Sequence, residues 1–370
     1  SEGKYYKLMQ DISIPISYSS IGTFEKPFKG IFYGNGLTIL FENTVMLDSD
    51  AGLFGVNFGK IHNLVIAGTL TSKNSRFIGA VVGSNYGVIS NCVNKSSITA
   101  NTRVGGIAGF SQGTIKECTN EGNMSISLDD TENMCGGIAG EVSLNAIILS
   151  CNNLGTISIA SRSINICGGI AGKCTGNADI KMCGNQGKVI STNGIEDYAG
   201  GIAGRSTGKI TNSYNLGEIR IENTSNVSEA GGIVGVNNGT VQHCYSIANI
   251  ISQDGYMCDA GGIVAYNENG TVQYCYSIST FQSKGDKGGI IGTNWTNGQV
   301  SDCFYICEDK TISGISYDYG MAEKKKASSN KGAGLILEDD LKSNRANLGN
   351  MFKADCSKNQ GYPVLKWQCQ

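Results

Sequence analysis

Gly200-Gly201-Ile202-Ala203-Gly204-Arg205-Ser206-Thr207-Gly208-Lys209-Ile210-Thr211-Asn212-Ser213-Tyr214-Asn215-Leu216-Gly217 holds in one stretch the plan of most of the chain. Its opening pentapeptide, Gly-Gly-Ile-Ala-Gly, also stands at 105–109, 136–140 and 168–172. Variants stand at 231–235, 261–265 and 288–292, and looser forms at 51–55 and 79–83. Counted at the second position, successive copies are 28, 26, 31, 32, 32, 31, 30 and 27 residues apart. A chain of 370 residues would ordinarily suggest two or three globular domains. A repeat of about 30 residues instead joins that length into one solenoid.

Each copy is followed by a Gly- or Asn-marked turn, a β-rich run such as Thr240-Val241-Gln242-His243-Cys244-Tyr245, a third run around Ile247–Ile251, and a variable polar loop. The runs are about five residues long and lack helical periodicity. Three strands per repeat predict an all-β fold, a right-handed parallel β-helix of nine to ten rungs, each resting on its neighbours. Gly at 52 residues and Pro at only 3 suit strands that all need their backbone N–H. The reading divides the chain into an N-terminal cap with first strands (1–50), the repeats (51–305) and a C-terminal cap (306–370). Caps are expected because an end rung would expose its apolar cross-section.

Aligned columns support stacking. Cys92, Cys118, Cys151, Cys183, Cys244, Cys275 and Cys303 share one register, with Leu64 and Ser213 in the same column. They read as small buried hydrophobes, with disulfides or metal ligation as the alternatives. Two positions on stand Asn94, Asn120, Asn153, Asn185 and Asn215, continued by Ser246 and Ser277. Stacked at the strand spacing of ~4.8 Å, such amides can bond along the axis as a ladder. Cys356 and Cys369, outside the repeats, are the better disulfide candidates.

These residues resemble the GLUG repeat of bacterial surface proteins: Gly-Gly-aliphatic-x-Gly, then Gly-x-Ile, Cys or aromatic, and Asn-x-Gly. Residues 200–217 fit it throughout, and Gly34-Asn35-Gly36 and Tyr362-Pro363-Val364-Leu365 resemble its flanks. The resemblance implies an extracellular or cell-surface β-helix of adhesins and of large proteins named as immunoglobulin A proteases. It implies a carrier without an active site.

Chemistry is sparse. The net charge of −2, with 16% charged residues, argues against nucleic acid as a partner. The one basic run, Lys324–Lys326, reads as a solvated loop. No apolar run is long enough to insert into a membrane. The two histidines, His62 and His243, form no His-Glu-x-x-His pair, and no Gly-x-Ser-x-Gly or phosphate loop appears. No catalytic residue, metal site or cofactor is therefore expected.

Acids gather before the Gly-Gly pairs: Asp129, Asp130 and Glu132; Glu196 and Asp197; Glu222 and Glu229; Asp254 and Asp259. They read as a charged loop edge, with Ca²⁺ binding or catalysis as the alternative. Tyr214, Tyr245, Tyr276 and Phe304 follow the Cys column on successive rungs and are expected to face outward. An outward aromatic stripe, with Trp295 and the turn residues Phe58, Tyr86 and Tyr266 on another edge, could stack sugars or meet a protein, the alternative being rings that stack only to stabilise the outer sheet. The expected function is a monomeric, non-catalytic adhesion or stalk module whose partner is a host glycan or an extracellular protein. The alternative is a polysaccharide-acting β-helix enzyme. Two close carboxylates in a groove would favour the enzyme, and a groove-free aromatic stripe would favour binding.

Overall fold

The computed structural model describes residues 2–127, 131–222, 227–253, 257–295, 297–309, 311–318, 333–336, 338–343, 348–353 and 359–369. Asp129, Asp130, Asp254, Lys324–Lys326 and Cys356 lie outside them. The chain is a β-solenoid of about ten turns, with almost no helix. Every repeat-to-repeat pairing is parallel and in register: Gly200 lies beside Gly231, Ile210 beside Val241 and Tyr214 beside Tyr245.

One rung shows the construction. Glu196–Gly200 and Ala203–Ser206 form a Gly-Gly face, Lys209–Thr211 a second face, and Tyr214–Asn215 with Ile219–Glu222 a third. The expected three strands per rung are thus five short pieces on three faces. The breaks have physical causes. A Cβ on Gly201 would stand 2.3 Å from the Asn215 carboxamide carbon and 2.2 Å from the Gly232 carbonyl. Only a glycine lets this strand bend so closely over the asparagine column. The same contact joins Gly106 to Asn120, Gly137 to Asn153 and Gly169 to Asn185, which is why glycine pairs and asparagines recur together.

The second break is a one-residue left-handed corner between the second and third faces. Asn63, Asn91, Glu117, Ser150, Met182, Asn212, His243, Tyr274 and Asp302 all sit there, with φ between 50° and 56°. Each immediately precedes the Cys column, and each thiol donates back across the corner to the carbonyl two residues before it. Examples are Cys92 to Ser90 at 3.3 Å and Cys275 to Gln273 at 3.2 Å, with Ser213 doing the same to Thr211 at 2.9 Å. The seven column thiols are free and buried. Burial raises the pKa of Cys118 and Cys151, so they stay thiols rather than reactive thiolates.

The expected ladder is present. The Asn94 amide donates to Asn120 at 2.8 Å, Asn120 to Asn153 at 2.7 Å, Asn153 to Asn185 at 2.8 Å and Asn185 to Asn215 at 2.8 Å. Two further ladders stand at other corners: Asn237, Asn267 and Asn294 in one, Asn165 and Asp197 in the other.

The coil runs through both ends of the repeat region. Residues 5–46 already make rungs, since Tyr5 pairs with Ile31 and Ile31 with Lys60, so the N-terminal segment is coil. Ser313–Asp318 and Ala333–Leu335 extend the coil at the other end. After them the chain turns back and lies on the third face as a lateral strap. Helix Glu338–Lys342, the pair Phe352–Lys353 with Val364–Leu365, and a last turn at Lys366–Cys369 build it. No helix among the described residues is long and apolar enough to cross a membrane.

Candidate functional site

The strap decides the fate of the tyrosine stripe. Tyr214, Tyr245 and Tyr276 do face out of the coil and stack, with ring centroids 5.4 Å and 5.0 Å apart. They are not exposed. Leu341, Leu348, Phe352 and Leu365 pack over them, leaving Tyr276 fully buried and Phe304 half-buried. Tyr276 donates to the Pro363 carbonyl at 2.5 Å, Gln368 donates to the Tyr245 hydroxyl at 2.9 Å, and the Trp367 indole donates to the Asn212 carbonyl at 2.9 Å. The expectation of an open aromatic stripe is therefore corrected. A half-apolar C-terminal segment needed an apolar surface, and the stripe is that surface.

The histidines are structural. His243 stacks on Tyr274 at the corner, and His62 bonds Ser90. No group of three or more His, Cys, Asp or Glu residues among the described ones could hold a metal ion.

An open site lies on the Gly-Gly face. There the two strand pieces of each rung meet at the glycine bend, and their outward side chains converge along a concave corner. Register defines two columns that line it. One runs Phe77, Arg103, Met134, Ile166, Tyr198, Glu229, Asp259, with Asp286 next in line. The other runs Phe110, Glu141, Lys173, Arg205, Val236, Tyr266, Thr293.

In the N-terminal half the corner is filled. Phe77 packs on Phe110 at 5.0 Å, and Arg103 pairs with Glu141 at 2.8 Å and Lys173 with Glu132 at 2.9 Å. From Tyr198 onward, acids and short side chains replace that filling, and a groove of about 660 Å³ opens. Trp295 and Tyr266 stack at its wall, ring centroids 6.3 Å apart. Tyr198 lies at the other end under the Arg205 guanidinium and donates to Glu196 at 2.6 Å.

Glu229, Asp259 and Asp286 stand on consecutive rungs, about 4.8 Å apart by strand spacing. Glu229 is 5% exposed, lines the groove, and its Oε2 has no hydrogen-bond partner among the described residues. Burial first, then repulsion from Asp259 and Asp286, pushes its carboxyl well above the ordinary range. Burial likewise raises Asp259 to about 7, against a hydrogen bond from Thr293 that opposes the shift and repulsion from Asp286 that adds to it. Asp286 accepts from Ser316 at 3.1 Å.

Of the residues singled out from sequence, Trp295, Tyr266, Glu196, Glu229 and Asp259 come together here. Asp197 does not: it points inward, accepts from Asn165 at 2.9 Å and belongs to a ladder. Tyr198, Arg205 and Asp286 escaped the sequence reading, although the fixed spacing before Gly-Gly places Tyr198, Glu229, Asp259 and Asp286 in one column.

No family model and no curated protein matches the chain. Among solved structures, that of a candidate immunoglobulin A1 protease from Bacteroides ovatus aligns over 99% of this chain and 87% of that one, at 16% identity and a TM-score of 0.38.

Proposed function

We propose that the chain is a non-catalytic β-solenoid module of a bacterial surface or secreted protein, and that the groove of the Gly-Gly face binds a glycan. The observation that carries this is the stacked Tyr266–Trp295 pair beside a row of carboxyl groups in an open groove. Flat apolar faces match the C–H faces of sugar rings, and carboxyl oxygens accept from their hydroxyls. The GLUG-like repeat supports the surface setting, and with it a place in a larger protein of the kind named for immunoglobulin A proteolysis.

The test is a glycan array probed with the protein and its Trp295→Ala variant, with each retained glycan assayed for cleavage. Retention that falls about tenfold or more in the variant, without turnover, is the expected result. Retention untouched by Trp295→Ala places binding elsewhere and overturns the reading.

Turnover would favour a second reading, polysaccharide hydrolysis, which the acid column specifically supports. Burial favours the protonated form of Glu229, the form that can donate a proton, and a neighbouring ionised acid can act as nucleophile or base.

A further inference from the structure

We propose that the group seated against Glu229, Asp259 and Asp286 is a protonated amine, so that the glycan is one carrying free amino groups. This rests on the glycan-binding reading of the groove and adds the chemical class of ligand. Four observations carry it.

The first is charge balance within one architectural corner. In the filled half, the protein supplies a cation for each acid that enters: Arg103 for Glu141 and Lys173 for Glu132. In the open half, no ion pair joins Glu229, Asp259 or Asp286 to a lysine or arginine among the described residues. The second is the unpartnered, buried Oε2 of Glu229, a residue that lines the groove. A buried acceptor left without a donor is costly, and a ligand donor removes that cost.

The third is the column itself. Three carboxyls one strand spacing apart repel one another when ionised. A hydroxyl donor would satisfy Oε2 and leave that repulsion in place, whereas a cation relieves both. The fourth is the wall. Tyr266 and Trp295 are aromatic residues there, and ring faces attract cations as well as sugar C–H groups. The one arginine of the groove, Arg205, is held over the Tyr198 ring, 5.1 Å from its centroid.

The experiment is calorimetric titration of the whole chain with two matched-length probes, a chitosan oligomer with free amines and the fully N-acetylated chitin oligomer. The amine oligomer is expected to bind about tenfold more tightly or better, the yield of one charge-assisted hydrogen bond. A Glu229→Gln, Asp259→Asn double variant is expected to bind the two oligomers equally, and Trp295→Ala to weaken both. Gln and Asn keep the shapes of the two side chains and remove their capacity for negative charge, and a thermal melt checks that the double variant folds.

Equal affinity of the wild type for both probes, lost in Trp295→Ala, would sink the amine inference and leave the glycan reading standing. Binding that neither variant changes would overturn both, as would binding of neither probe. An oligolysine of matched length that outcompetes the amine oligomer would replace the sugar with a basic protein segment and overturn the carbohydrate choice.

Discussion

At the scale of single residues, the fold rests on positions that the rungs repeat but do not spell the same way. The left-handed corner is filled by Asn, Glu, Ser, Met, His, Tyr and Asp in turn, so its conformation is shared while its chemistry is not. A side chain there costs roughly 1 kcal/mol relative to glycine. Met182→Gly is therefore expected to stabilise the protein by up to about 1 kcal/mol in urea unfolding, reduced by the greater freedom it gives the unfolded chain. The Cys column allows a second test. Ser213 shows that a hydroxyl can make the bond the thiols make. Cys244→Ser should thus cost less than about 1 kcal/mol, whereas Cys244→Val, which loses the donor and overfills a close-packed site, should cost about 1–3 kcal/mol. The Asn and Cys columns were legible in the sequence because their chemistry narrows the choice to a few residue types, Asn or Ser in one and mostly Cys in the other. The corner was not, because φ is all it selects.

At the scale of elements, the strap is the part of the expected C-terminal cap that lies on the side of the coil. Its apolar residues, Leu341, Leu348, Phe352 and Leu365, were visible, but a solenoid has both an end and a side to cover. What directs them to the side is the stacked run of Tyr214, Tyr245 and Tyr276, on which they pack. Trp367→Ala removes a ring contact to Tyr214 and the bond to Asn212, a loss on the order of 3 kcal/mol for a large aromatic side chain. Hydrogen exchange should show faster exchange at Leu365 and its neighbours, while protection in the coil is unchanged. Coil amides that speed up together with the strap would mean that strap and rungs unfold as one unit.

At the scale of the molecule, the groove makes stability depend on pH. Asp259 titrates near 7 when folded, against an ordinary value of 3.8, so the folded state binds more protons than the unfolded state between those values. Stability is then full below about pH 4 for this group and falls as pH rises towards 7. Glu229 shifts in the same direction, and Glu196, Tyr198, Arg205, Cys258, Tyr266, Glu268 and Asp286 are the other titratable or charged groups lining the groove. Melts should show a lower Tm at pH 8 than at pH 5, and the slope should flatten in Asp259→Asn. A rising Tm over that range would contradict the buried placement of this acid. The solenoid and its period were legible from the glycines. The groove was only half legible: Glu229 and Asp259 read as loop acids, since nothing in one sequence shows that a column filled by Phe77, Met134 and Ile166 on some rungs opens on others.

The strap has a mechanical consequence. It doubles back, so that Trp367 is fastened at the rung of Asn212 while Ala333 still pairs beside Cys303. Tension applied through Trp367 and directed away from the N-terminus would load those attachments one after another, from the rung of Asn212 outward, and each would yield before the rungs, whose many hydrogen bonds share the same load side by side. The molecule under load would behave as a spring in series with a breakable link: it would lengthen first by peeling, at low force and reversibly, and only then by uncoiling.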